Sequence, residues 1–374
     1  MKKNKVVSLI IRIFTALIVF ALVLSIPLLG LKQNEELFEI YSTFVGSKSK
    51  YQGVLEVWNI DTFEGGTAKK SNYISKVARS FESKNKGLYI LVRDLSEYEC
   101  INLLNNGEKP DVFSCSYGVA CDLNSYMTKI SSLSGINISE NLLNAGKIGS
   151  EQFGLPWCME LYFLISTDSH LKNAGIDTEN TAVNLADIAL NSGYEKQTKK
   201  GSKITYSISY GTNKYLLPNQ AFCSYNNKGL ISESKYFFND EWKNCSQYSA
   251  YSNFLANKSV VLFGTNRDVI KMKNRENNGK CEKVYFEPIL GFSDLIQFSF
   301  LAKNDNNLKM EYAEQFIKFL SSSENQEKLT SFGLFPICKL QSEVKFFDSV
   351  LDINLDKIQV SNVFISKSEI INLQ

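Results

Sequence analysis

VLEVW (54–58), LYILV (88–92) and DVFSC (111–115) are three short apolar runs separated by two helical intervals. Residues 67–86 set Ile74, Val77, Ala78 and Phe81 on one face at helical spacing, with Gly87 as the stop. Ser96-Glu97-Tyr98-Glu99 is a capping-box signature that opens a second helix through Leu103 and Leu104 to Gly107. Strand, helix, strand, helix, strand implies right-handed crossovers and a mainly parallel sheet. Such sheets take ligands beyond the carboxyl ends of their strands, so residues 58–61 and 114–117 are expected near one mouth.

Farther along, FGLPW (153–157) leads into a further strand over residues 161–165. Residues 168–174 read as a short helix stopped by Gly175, with His170 exposed on it. The basic stretch 196–203 reads as a solvated loop. Residues 308–320 form an amphipathic helix with Tyr312, Ala313, Phe316, Ile317 and Leu320 on its apolar face. A short helix follows from Ser323 and ends at GLFP (333–336). No repeat of solenoid period and no low-complexity segment interrupts the pattern.

The chain has 374 residues, of which 44% are hydrophobic, enough for a sizeable core and for two domains. A formal charge of +2 gives no field that would draw in nucleic acid. The eight cysteines form no C-x-x-C pair, and His170 is the one histidine, which disfavours a zinc site of Cys/His type. Their pairing is not readable from spacing.

The amino terminus carries Lys2, Lys3, Lys5 and Arg12, then the uncharged run IFTALIVFALVLSIPLLGL (13–31). At 1.5 Å per residue this run approaches a bilayer's hydrocarbon thickness. It is longer than a signal-peptide core, no small-x-small site follows it, and no cysteine comes directly after it as in a lipoprotein. Residues 1–31 are therefore expected to be an uncleaved signal anchor, with residues 32–52 a polar stalk. The flanking lysines predict the amino terminus inside and the remaining chain outside the cell membrane.

Six stretches, in order, resemble the family 1 extracellular solute-binding proteins, the maltose-binding-protein-like group that serves ABC sugar importers. They are GVLEVWNIDTFEGG (53–66), SKVARSFESKNKG (75–87), GEKPDVFS (107–114), FGLPWCMELYFLISTDSHLKNAGID (153–177), VLFGTNRDV (261–269) and YAEQFIKFLSSSENQEKLTSFGLFPI (312–337). The tail after Pro336 has no counterpart in the resemblance. It implies an α/β, two-lobe periplasmic-binding-protein-like fold with an interlobe cleft, here preceded by one transmembrane helix. Lobe 1 would hold residues 53–160 plus about 293–335, and lobe 2 about 161–292 plus 336–374, with crossings at 157–165 and 288–298. The implied activity is capture of a small solute, a carbohydrate by preference, by hinge closure and delivery to ABC permease subunits. No cofactor and no metal are implied.

A sugar site needs aromatic plates and planar hydrogen-bonding groups. Trp58, at the end of the first strand, reads as a stacking plate or as core; Trp157 and Glu160 lie at the first crossing. As plates, both tryptophans would tolerate truncation with little loss of stability. Asp61 and Glu64 read as hydroxyl acceptors or as helix-capping carboxylates. Asp111 reads as a ligand acceptor or as turn chemistry beside Pro110. Thr265, Asn266 and Arg267 offer a hydroxyl, an amide and a guanidinium, the last for ligand or for a carboxylate across the lobes. Phe292 and Asp294 lie at the return crossing. Two rival functions share these residues: a glycoside hydrolase built on Asp61, Glu64 and Asp111, and an anchored sensor that reports occupancy to a signalling partner. The sequence carries no G-x-S-x-G elbow and no P-loop, and catalysis is not expected.

Overall fold

The computed structural model describes residues 47–63, 67–211, 221, 234–242, 245–338, 343–347 and 349–369. The anchor run 13–31 and Glu64 lie outside them, and among the described residues no helix is long and apolar enough to cross a membrane. Among the described residues the chain divides into a small unit, residues 47–53 with 79–89, and a large one, residues 54–78 with 90–369. The small unit holds a turn from helix directly into strand, with Gly87 at φ +91° inside the strand rather than acting as a helix stop.

In chain order the elements are β1 (Ser47–Ile60), α1 (Lys70–Lys84), β2 (Asn85–Leu95), α2 (Glu97–Asn105), β3 (Val112–Cys115), α3 (Ala120–Leu123), β4 (Met127–Thr128) and α4 (Glu140–Ala145). Next come β5 (Lys147–Ile148), β6 (Glu151–Gln152), β7 (Gly154–Met159), β8 (Tyr162–Thr167), α5 (Asp168–Asn173), α6 (Leu185–Asn191), β9 (Tyr194–Thr198) and β10 (Gly201–Tyr210). The last are α7 (Gln247–Leu255), β11 (Ser259–Thr265), α8 (Asn266–Asn277), β12 (Val284–Ile289), β13 (Ile296–Ala302), α9 (Asn307–Leu320), α10 (Ser323–Gln326), β14 (Glu343–Phe346) and β15 (Ser349–Asp352).

Two large sheets form. The first runs β2-β1-β3-β13-β4, with β7 also on β13; β1 and β3 are parallel, and β13 is antiparallel to β3. The second runs β12-β8-β11-β10-β9, parallel only between β10 and β11. Every residue of β3, β7, β8, β11 and β13 is buried. These strands are covered on both faces, which is why they read as continuous apolar runs rather than alternations. The chain leaves the first sheet after Met159 and enters the second at Tyr162; it returns between Ile289 and Ile296. The result is a two-lobe α/β fold with Glu160-Leu161 as the first crossing.

Local signals account for several helices. Ser96 caps α2 and Glu99 returns the bond to the Ser96 amide at 2.7 Å, completing the capping box. The face of α9 buries Tyr312, Ala313, Phe316, Ile317 and Leu320. The basic stretch 196–203 differs from expectation: it is a β-hairpin, β9 paired to β10, whose side chains stay exposed while the backbone extends the second sheet. His170 also differs. It is buried, stacked 4.2 Å from Phe254, with Nε2 2.9 Å from the Phe254 carbonyl and Nδ1 2.6 Å from Thr167 Oγ1. A carbonyl only accepts, so the ring proton sits on Nε2, and burial holds the imidazole below its ordinary pKa. Seven cysteines fall in the described residues, and among them Cys100, Cys115, Cys121, Cys158, Cys245 and Cys281 are free thiols.

The tail behaves as two pieces. In the β14–β15 hairpin, Phe346 packs 5.6 Å from Phe163 and 5.9 Å from Phe286, on the second sheet. Residues 353–369 then run along the first lobe rather than staying with the second. Tyr117 donates to the Ser361 carbonyl at 2.6 Å, and Phe364 meets Phe300 edge-on at 5.6 Å. Asn141 Nδ2 donates to the carbonyls of Leu355 (2.8 Å) and Ile358 (2.6 Å). Truncating Asn141 strands two carbonyls, so Asn141→Ala is expected to cost about 1–2 kcal/mol in urea denaturation and to speed amide exchange over residues 355–363. Unchanged exchange there would detach the tail from the lobe.

Candidate functional site

The carboxyl ends of β1 and β3 carry a buried polar network. Ser114 Oγ donates to Asn59 Oδ1 (3.0 Å) and accepts from Gln297 Nε2 (3.2 Å) and Trp157 Nε1 (3.3 Å). Asn59 Nδ2 donates to Asp94 Oδ1 at 2.9 Å, linking the network to the end of β2. Chain polarity explains the location: parallel β1 and β3 present their last residues, and the loops after them, on one edge.

A pocket of about 640 Å³ opens over this edge. Asp61, Lys69, Lys70, Asp94, Ser96 and Glu99 line it from the first lobe, and Arg267, at the start of α8, lines it from the second. Lys70 is 1% exposed; its Nζ donates to the Phe63 carbonyl at 2.6 Å, lies 3.8 Å from the Phe63 ring centre and pairs with Asp61 Oδ1 at 3.4 Å. Lys69 pairs with Asp94 at 2.6 Å. Glu99 Oε2 serves the Ser96 cap.

Glu160 lies at the first crossing and does not line the pocket. It is 0% exposed, and neither carboxylate oxygen has a hydrogen-bond partner. Burial pushes its carboxyl up to about 8; Lys70 and Arg267 pull it down, while Asp61 and Asp268 oppose them. Burial wins because a charge taken from water loses more than cations beyond ion-pair reach restore.

The structure thus brings Asp61 and Arg267 to one pocket, keeps Glu160 buried within electrostatic reach of both, and sets the other candidates apart. Trp58 is fully buried: Nε1 donates to Glu56 Oε1 at 2.7 Å and the ring meets Phe113 edge-on at 6.0 Å. Trp157 is fully buried and stacked 5.4 Å from Tyr73. Neither ring offers a face to a ligand, which fits the core alternative for both. Asp111 lies at the opposite, amino end of β3, bonded to Lys309 (2.8 Å), Asn304 and the Glu56 amide. A carboxylate pair of Asp61 with Asp111 is therefore not formed, and the glycosidase arrangement loses that partner. Thr265 caps α8 with Asp268. Asn266 is buried between Leu161 and the Gly333 carbonyl, a hinge clamp rather than a pocket wall. Asp294 accepts from Tyr162 at 2.7 Å, and Phe292 packs beside Gln359 of the tail.

Lys69, Lys70, Asp94 and Glu99 were not anticipated. Asp94 could have been, since it ends the second strand at the same mouth. The lysines carry no such signal: a lysine near a helix start reads as solvated until the fold encloses it.

No family model and no curated protein sequence matches this chain. Solved structures do. The GacH receptor of Streptomyces glaucescens GLA.O, determined unliganded and with acarbose, superposes with a TM-score of 0.56 at 13% identity, covering 87% of this chain and 93% of that one. The ABC substrate-binding protein Lmo0181 from Listeria monocytogenes, in complex with cycloalternan, gives 0.55 at 11% identity over 84% and 89%. Iron-bound HitA from Pseudomonas aeruginosa gives 0.54 at 13% identity over 86% and 97%. Nearly the whole described chain is thus laid out as in these proteins, and it has the two-lobe fold of the ABC substrate-binding proteins, sugar binders among them.

Proposed function

We propose that this chain captures a small polar solute, a carbohydrate by class, in the cleft over Asp61 and Arg267 and passes it to the permease subunits of an ABC importer. The observation that carries the reading is the pocket itself: it lies at the carboxyl ends of the first sheet and takes Arg267 from the other lobe. Its volume suits a ligand of one or two sugar rings. Hinge closure would bring Arg267 onto a solute seated on the first lobe and exclude water from it. The sugar-bound neighbours support the class, and the iron-bound one shows that the fold alone does not choose it. The uncharged run 13–31 supports tethering to the membrane with the lobes outside.

The test is a thermal-shift screen of the detergent-solubilised chain against sugars and polyols, since a ligand that binds only the folded state raises the midpoint. Asp61→Ala and Arg267→Ala are each expected to weaken a hit about tenfold or more, as losing one charged hydrogen bond does; Asp61→Ala should also lower the ligand-free midpoint, because the buried Lys70 loses its carboxylate. Hits that ignore both substitutions would place binding elsewhere.

A further inference from the structure

We propose that the basic hairpin β9–β10 is a docking surface for anionic phospholipid headgroups, which holds the second lobe of the tethered chain against its own membrane. This draws on the tethering reading above and is independent of which solute is captured.

The hairpin carries Lys196, Lys199, Lys200 and Lys203, all exposed. The backbone fixes them in place: β9 and β10 pair from Tyr194 opposite Thr205 to Thr198 opposite Gly201, and Lys199 and Lys200 form the turn. Thr198 Oγ1 donates to the Gly201 carbonyl at 2.5 Å across that turn. In this register Lys203 lies directly opposite Lys196. Like charges directly opposite across a strand pair destabilise it. The one carboxylate between residues 194 and 205 does not compensate. Alternation sends Glu195 to the other face, where it accepts from Tyr236 at 2.8 Å and from Ser202 and lies 3.7 Å from Lys235. Among the described residues no ion pair engages any of the four lysines.

Edge protection accounts for part of this. A lysine on an edge strand keeps other chains from pairing with it, and Lys196 on β9, the last strand of its sheet, does so. Lys203 is on the inner strand, and Lys199 and Lys200 are at the turn, where no edge needs guarding. Keeping Lys203 against Lys196 costs the hairpin stability, and an anion outside the chain is what relieves the repulsion.

Composition selects the anion. Residues 195–204 hold no aromatic ring and no arginine, the residues on which protein interfaces centre. Lysines are hydrated point charges that suit a diffuse field of phosphates rather than a fixed carboxylate. The uncharged run 13–31 brings such a field within reach, since residues 32–46, fully extended, span about 50 Å at most.

Amine acetylation of the full chain, reconstituted in lipid nanodiscs and read by peptide mass spectrometry, decides it. In discs with about 30% phosphatidylglycerol the four lysines should label about fivefold or more slowly than in phosphatidylcholine alone. At about 0.5 M salt, where the screening length falls to roughly 4 Å, that protection should vanish. Lys280 and Lys283, exposed just before β12 at the opposite edge of the same sheet, are the references and should not change. Lys203→Glu sets an acid opposite Lys196, so it should keep or raise the urea midpoint while removing most of the protection from the other three. Equal labelling in both discs, full protection that survives salt or Lys203→Glu, or an equal fall at Lys280 and Lys283 would each overturn the proposal. A hairpin reserved for an acidic protein gives the first of these results. Flotation separates docking from tethering: a chain that floats with neutral vesicles is tethered whatever the hairpin does. One that floats only with anionic vesicles, and no longer does so as Lys203→Glu, has the docking surface without the tether, and one that floats with neither loses both.

Discussion

Glu160→Gln is expected to stabilise the ligand-free chain, by an amount that grows with pH. Glu160 has a carboxyl raised to about 8 in the fold, against an ordinary unfolded value of about 4.3. For a raised pKa the folded state holds the proton longer than the unfolded one. Its stability contribution is intact below the unfolded value and is lost as pH climbs to the folded one. At about 1.4 kcal/mol per pH unit, the loss between pH 4.5 and 8 is about 3–5 kcal/mol. Gln is isosteric and cannot ionise, so it escapes this loss. Urea denaturation of both proteins at pH 4.5 and pH 8 checks it: the two should be close at the lower pH and well separated at the higher. His170, whose pKa burial lowers, destabilises both proteins alike as pH falls below about 6.5, so it cancels in the difference. A gap of the same size at both pH values would mean that Glu160 is not the group being titrated.

That expected gain says something about the site. A fold that keeps a carboxyl buried and unpartnered is less stable than it could be at the pH of most surroundings, and removing such groups commonly raises stability while costing function.

How much of this the sequence disclosed depends on which signals are local. The strand and helix order of the first lobe, the Ser96–Glu99 cap and the face of α9 follow from apolar spacing and capping chemistry, which a few consecutive residues determine, whereas the crossings near 157–165 and 288–298 are what the family resemblance implies. Facing is a different matter. β7 is buried at all six positions, so alternation gives no contrast between the side toward the pocket and the side toward α1, and Trp157 could not be assigned from its place at a strand end. Asp111 was assignable: it precedes β3, and ligands gather at the other end of such a strand. Lys70 was hidden because enclosure by Phe63 and Asp61 is tertiary. The tail's return to the first lobe depends on Asn141, Tyr117 and Phe364 meeting residues more than 200 positions away in two of the three cases, which no periodicity encodes.

Trp157→Ala is expected to lower the stability of the free chain by about 3–5 kcal/mol, the range for emptying a large aromatic from a core, where a stacking plate would have shown almost none. The indole fills space between the two layers of the first lobe. Its ring lies parallel to Tyr73 at 5.4 Å, and Tyr73 in turn donates to the Asn325 carbonyl at 2.7 Å, so the stack ties β7 to α1 and to the α10 segment. Nε1 contributes to the Ser114 network, and truncation leaves Ser114 and Gln297 to close over a void beneath the pocket. Trp157→Phe keeps a ring against Tyr73 and loses the donor, so it should fall well between, near the cost of one buried hydrogen bond plus a small cavity, about 1–3 kcal/mol. Urea denaturation of the three proteins orders them. Ligand affinity measured on the same set separates packing from contact: if Trp157 acts through the core, Trp157→Phe keeps affinity within a few-fold. A Trp157→Ala protein as stable as the parent but blind to ligand would instead return the indole to the cleft and require that the lobes open farther than the geometry here.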